Sequence, residues 1–261
     1  MSADNPLTRY GKKQEGIARI QLNRLRIRTQ GDALHDWRVA VKKIRAAVKL
    51  GIALSGITDS PDRLKGTESL FACSGKRRDV EICLELVNQY PLRAGSLTHF
   101  LRSQKRATGI RFREALIKYS GSETGKATGW LKSTTGKLMP GELEKRLQTQ
   151  IALLSAEALT ESGKPHRLRK HLKTLYYWYD IAGVSGPPKE KLNHLCEQLG
   201  EWQDREVCQT LLRHYRKDYL SAADPESVLI KEFETTLETE NKKRQQKIRS
   251  ALRSWLKLSI P

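Results

Sequence analysis

The sequence is short of acidic residues: 29 Asp+Glu stand against 48 Lys+Arg in 261 residues, a formal net charge of +19 at pH 7. It also has no apolar run approaching the ~20 residues that a membrane-spanning helix needs. The opening MSADNPLTRYGKKQEG lacks the apolar core of a secretion signal, so a cytoplasmic, soluble protein without a membrane partner is expected. Cysteine is sparse. Cys73, Cys83, Cys196 and Cys208 include no C-x-x-C pair, and each lies in an apolar-periodic stretch. They read as small buried hydrophobes in a reducing compartment, not as a zinc site or a disulfide framework. No alternating strand pattern occurs, which makes the fold class all-α. Catalytic signatures are missing as well: there is no P-loop, H-E-x-x-H, G-x-S-x-G or cluster of carboxylates. His35 and Asp36 are adjacent, so their side chains leave a helix about 100° apart and cannot act jointly. No enzyme, cofactor or metal is expected.

What is present is charge on helical periodicity. An excess of +19 calls for an anionic partner or a tolerance of self-repulsion. The surplus is uneven, with 27 basic and 12 acidic residues through Lys137, then 21 and 17 in the remainder. Helices are expected over 8–28 and over Ala33–Ala53, with Asp32 as N-cap. Ser60-Pro61 signals another, running toward Gly75 and continuing from Asp79 to Gln89, and Pro91 opens one that extends to Tyr119. Further helices are expected over Gly141–Glu161, Pro165–Ile181, Pro188–Leu220 with a break at Gly200, and Pro225–Leu258. The Gly-, Ser- and Thr-rich stretch Ser120–Pro140 reads as an interdomain connection.

The chain carries an internal repeat. At a shift of 131 residues, LHDWRVAVKKIRAAVKL (34–50) superposes on PHRLRKHLKTLYYWYDI (165–181), matching His35 to His166, Arg38 to Arg169 and Lys42 to Lys173. At a shift of 125, LFACSGKRRDVEICLEL (70–86) superposes on LCEQLGEWQDREVCQTL (195–211), matching Gly75 to Gly200 and Asp79 to Asp204. At a shift of 138, KRATGIR (105–111) matches KRQQKIR (243–249). The duplication implies two halves, 1–137 and 138–261, each a bundle of about four helices.

On a helical wheel His35, Arg38, Lys42, Arg45 and Lys49 fall within an arc of about 80° and extend about 21 Å along the axis. His166, Arg169 and Lys173 keep that stripe in the second copy, with Lys170 beside it, and Tyr176 and Asp180 replace its last cations. Aligned cations repel and destabilise an empty helix. A linear polyanion laid along them reverses the sign, through charge-assisted hydrogen bonds from Arg and Lys. A single basic stripe is usually a solvated face, but the same polar residues in both halves argue for a shared site. Asp79 and Asp204 are read as helix caps or as groups orienting a neighbouring Arg or His. Lys105, Arg106 and Arg111, matched by Lys243, Arg244 and Arg249, are further candidate cations. Tyr176, Tyr177, Trp178 and Tyr179 form a run that no single helix face can bury whole.

At HDWRVAVKKIRAAV (35–48), SGKRRDVEI (74–82), HRLRKHLKTLYY (166–177) and LGEWQDREV (199–207) the sequence resembles the CHAD family, the conserved-histidine α-helical domain. The resemblance covers about Thr8 to Leu258. It implies two four-helix bundles related by pseudo-two-fold symmetry around a basic pore or groove that binds inorganic polyphosphate. Sulfate or phosphate would occupy the same site. It points to His35, Arg38, Lys42, Arg45 and Lys49, and to His166, Arg169, Lys170 and Lys173, as the lining. The chain departs from the family at Ser74, where Leu is usual, and at Lys42 and Lys43, where Arg is typical. Some members carry a fused triphosphate-tunnel domain with an E-x-E-x-K strand; the nearest match, Glu142-Leu143-Glu144-Lys145-Arg146, lies in a helical segment, so a stand-alone domain is expected. Nucleic acid is the alternative polyanion, and an accessory to a polyphosphate-metabolising enzyme the alternative role. Association with polyphosphate granules would follow from either polyphosphate role. Oligomeric state is left open.

Overall fold

The structure, a computed structural model, describes residues 5–28, 32–56, 64–90, 94–135, 141–160, 165–221 and 223–259. Among them every regular element is an α-helix: α1 (Pro6–Ile27), α2 (Asp32–Ser55), α3 (Lys65–Gln89), α4 (Gly95–Lys118), α5 (Ser122–Thr135), α6 (Glu142–Thr160), α7 (Pro165–Ala182), α8 (Pro187–Tyr219) and α9 (Pro225–Ser259). The fold class is all-α. None of these helices is long and apolar enough to cross a membrane.

The starts follow local chemistry. Asn5 caps α1, its Oδ1 accepting from the Thr8 amide at 2.8 Å, and Pro6 opens the first turn. Asp224 does the same for α9, accepting from the Glu226 amide at 2.8 Å ahead of Pro225. Gly186, at φ +87°, supplies the left-handed turn that precedes Pro187 and α8. The start signals at Ser60-Pro61 and Pro91 lie outside the described residues.

Two breaks expected from glycine do not occur. α3 runs unbroken through Gly75, and α8 through Gly200. α8 packs on α3, α7 and α9, and that burial outweighs the roughly 1 kcal/mol that a mid-helix glycine costs. A Cβ at Gly200 would meet nothing within 4 Å. Gly200→Ala should therefore raise stability by about 0.5–1 kcal/mol in urea unfolding; a loss of stability would contradict the open space at this position.

The expected connection Ser120–Pro140 contains α5, packed against α1 and α2. Small residues here permit close helix packing, where the composition suggested a linker. A Cβ at Gly51 of α2 would lie 2.8 Å from Leu131 Cδ2 and 3.2 Å from Trp130, so only glycine admits this approach. The buried threonines of α5 have partners for their hydroxyls: Thr135 donates to the Leu131 carbonyl at 2.7 Å, and Thr128 to the Gly125 carbonyl and to Glu15 of α1.

The cores cross the halves expected from the repeat. One cluster joins Val80, Cys83, Val87, Leu97 and Leu101 of α3 and α4 to Cys208, Leu212, Ile230, Phe233 and Leu237 of α8 and α9. Another joins Leu50 and Leu131 to Leu154, Leu172, Leu175, Trp202 and Trp255. Direct packing of α2 on α7, and of α3 on α8, brings the aligned segments of the sequence together.

Candidate functional site

α2 buries Trp37, Val41, Ile44 and Leu50. Its stripe of cations runs along the flank of that apolar face, so Arg38, Lys42 and Arg45 are half-buried, while His35 and Lys49 at the two ends are exposed. α3 supplies the seat for the arginines. Arg38 donates to the Phe71 carbonyl at 3.0 Å and to the Ser74 hydroxyl, and the latter donates in turn to the Phe71 carbonyl at 2.7 Å. The Arg38 and Arg45 guanidinium carbons lie 4.2 and 4.4 Å from the centroid of the Phe71 ring, close enough for cation–π attraction. Arg45 also reaches Glu68 at 3.8 Å. A Cβ at Gly75 would sit 3.6 Å from Arg38 Nη1, an ordinary van der Waals contact, so the guanidinium lies against this turn of α3.

Ser74 is fully buried and serves Arg38 as an acceptor. Leucine there would remove that partner. Ser74→Leu should weaken both the α2–α3 packing and the hold on Arg38, by about 1–3 kcal/mol in chemical unfolding; unchanged stability would mean that the hydrogen bond contributes nothing.

α7 repeats the arrangement with different partners. Leu172, Leu175, Tyr177, Trp178, Tyr179 and Ile181 are buried, Arg169 and Lys173 half-buried, and His166 and Lys170 exposed. Three of the four consecutive aromatics are buried because α7 packs on α1, α2, α6 and α8, and Trp178 donates from Nε1 to the Ala46 carbonyl of α2 at 2.9 Å. The half-buried Tyr176 and the buried Tyr177 face Lys173, whose Nζ lies 4.7 and 5.4 Å from their rings. His166 donates from Nδ1 to Gln203 Oε1 at 2.6 Å, which pins the imidazole against α8. Asp180, where the stripe loses its cation, is neutralised by Lys189 at 2.7 Å.

The two stripes act on one another. Burial, and then the charges of Arg38, Arg169 and Lys173, push the Lys42 ammonium down from 10.5 to about 8, with Asp204 opposing them. Arg38 is lowered by burial, with Arg45, Arg78 and Arg169 adding to the effect and Asp79 opposing it. Burial raises Asp79 above its usual range; Arg38 and Arg78 oppose this and Asp204 adds to it. Asp204 is likewise raised by burial, against the pull of Arg169, Arg78 and Arg205. Cations from α2 and α7, and carboxylates from α3 and α8, thus form one cluster that contains residues from both aligned copies.

Neither aspartate caps a helix, because Asp79 and Asp204 lie in the interior of unbroken α3 and α8. They act on the arginines through charge, while the Phe71 carbonyl and Ser74 hydroxyl receive the Arg38 hydrogen bonds. Arg78 and Arg205 are members that the sequence reading missed. Arg78 is held by Glu85 at 3.0 and 3.4 Å, and Arg205 by Glu240 at 3.0 Å. Their adjacency to the repeated aspartates was the available signal. Phe71 had none without the α2–α3 pairing.

The cations of the third repeated block lie on α4 and α9, and Arg244 acts on Glu240, the carboxylate that holds Arg205. Lys105, Arg106 and Arg111 are exposed on α4, with Lys105 at 3.8 Å from Glu81; Lys243 and Arg249 are exposed on α9, where Arg244 pairs with Glu201. A separate concavity lined by Glu15, Arg19, Arg26 and Tyr119 lies between α1 and the turn before α5.

The family model of the CHAD domain matches residues 14–213. The chain belongs to the CHAD family. The matched span takes in both cation stripes, both aspartates and Phe71, and ends inside α8, so the CHAD match leaves out Lys243, Arg244 and Arg249. In fold, this CHAD chain is similar to the crystal structure of the CHAD domain from the plant Ricinus communis, with a TM-score of 0.75 at 19% identity over 98% of this chain and 93% of that one. No curated protein matches the chain. The E-L-E-K-R stretch lies in the first turns of α6 and is helical, unlike a tunnel-domain strand.

Proposed function

We propose that this CHAD domain binds inorganic polyphosphate, without catalysis, along the cationic surface that α2 and α7 share. In this reading two pseudo-symmetric four-helix bundles enclose a basic pore or groove, with His35, Arg38, Lys42, Arg45 and Lys49 on one side. His166, Arg169, Lys170 and Lys173 line the other. The observation that carries the reading is the crowding of Lys42 by Arg38, Arg169 and Lys173. Cations from two helices held this close are unfavourable when empty and favourable around a polyanion. The family is associated with polyphosphate binding, which agrees. Sulfate or phosphate would take the same positions. The cellular role follows from binding: targeting to polyphosphate granules in the cytoplasm, or support of a polyphosphate-metabolising enzyme.

Binding only to the folded array should raise the melting temperature by about 5–10 °C when ligand stands at about 100 times its Kd. No shift at saturating polyphosphate would count against a specific site. Nucleic acid is the second reading, since +19 would attract any polyanion. Half-buried cations on α2 and α7 favour a thin, flexible chain over a duplex. In competition at equal phosphate concentration and moderate salt, long-chain polyphosphate should remain bound; displacement by duplex DNA would favour the second reading.

A further inference from the structure

Cys83 and Cys208 are unused by the anion site and meet inside the core. Each is fully buried, and their sulfurs lie 2.7 Å apart, one on α3 and one on α8. They occupy matched positions of the sequence repeat, each four residues after its aspartate, and so lie one turn along from Asp79 and Asp204. Their surroundings are apolar: Val80, Val87, Leu101, Leu212 and Leu237 belong to the same cluster.

We propose that Cys83 and Cys208 are a disulfide-forming pair that joins α3 to α8 when the protein meets a peroxide. Hydrogen peroxide first converts one thiol to a sulfenic acid, with an oxygen–oxygen bond broken and one water released. The second sulfur attacks the first, the sulfur–oxygen bond breaks, and the thiol proton leaves with the hydroxide as a second water. In total, two thiols and one peroxide give one disulfide and two waters. A small neutral oxidant suits this enclosed place. The hydrogen bond shared with Cys83 and burial both raise the Cys208 thiol and so slow its oxidation, while the apolar enclosure shuts out bulky or charged reagents. The crosslink would span 125 residues of sequence and fix the spacing of α3 and α8 beside the two aspartates. All four cysteines are free in the structure, and Cys73 and Cys196 serve as internal controls.

The test treats the folded wild-type protein with hydrogen peroxide, removes the excess with catalase, then unfolds it in N-ethylmaleimide and maps the peptides by mass spectrometry. The expected result is a linked Cys83–Cys208 peptide pair, with Cys73 and Cys196 still alkylated and the intact mass lower by two hydrogens before alkylation. The melting temperature should rise by about 5–15 °C. Alkylation of all four cysteines would overturn the proposal, as would oxidation of Cys83 without a link or a link through Cys73 or Cys196. Cys208→Ala should abolish the linked peptide, and persistence of a two-thiol loss in that variant would also overturn it. The wild-type mapping decides the matter even where the variant folds poorly, and it does not depend on polyphosphate binding.

Discussion

Replacing Arg38 and Arg169 together with alanine should lower the affinity for long-chain polyphosphate by about 100-fold or more at moderate salt. Each arginine offers charge-assisted hydrogen bonds worth about 1.5–3 kcal/mol, and the two losses fall on facing helices. A control pair, Lys13→Ala with Lys126→Ala, removes the same formal charge from exposed positions of α1 and α5 and should cost about 3-fold or less. Titration calorimetry on both variants separates the cases. Equal losses would mean that total charge binds the ligand and that the α2–α7 cluster has no special part. Arg38 also ties α2 to α3 through Phe71 and Ser74, so the melting temperature of the double variant should be recorded beside its affinity.

The second large effect is on pH. Lys42 is lowered to about 8 in the empty protein, burial being the first cause and the cations of α2 and α7 the next. A bound polyanion counters those cations and returns Lys42 toward 10.5, so binding takes up a proton above pH 8. Affinity should then fall as pH rises from 7 to 9.5, by up to about 30-fold if Lys42 returns fully to 10.5 and by less to the extent that its burial persists. Folding runs the other way. Between about 8 and 10.5 the unfolded chain holds more protons than the native one, so the empty protein should gain stability as pH rises through this window. The charged groups that act on Lys42 are Arg38, Arg169, Lys173 and Asp204. Lys42→Arg should flatten the affinity profile, because arginine stays charged throughout. A pH profile identical in wild type and Lys42→Arg would contradict this role.

Much of this was legible in the sequence, for physical reasons. Long amphipathic periods fix α1, α2, α7, α8 and α9 to within a few residues of their ends. Aligning His35 with His166 and Asp79 with Asp204 identified positions that the fold brings to α2, α7, α3 and α8, and spacing along a helix sufficed to place the cations on one stripe. The failures share a cause. Glycine and threonine were read for local propensity, whereas Gly51 and Thr128 serve close packing of α5, and Gly75 lies beneath the Arg38 guanidinium. Propensity is local and packing is not. Phe71 and Ser74 were invisible as site residues for the same reason, since their role exists only once α3 lies against α2.

The most direct measurement is a crystal structure of the protein with a short polyphosphate bound. Phosphate density should lie between α2 and α7, with oxygens within hydrogen-bond distance of Arg38 or Lys42 on one side and of Arg169 or Lys173 on the other. Density confined to the exposed cations of α1, α4 or α9, with the α2–α7 cluster empty, would contradict the account.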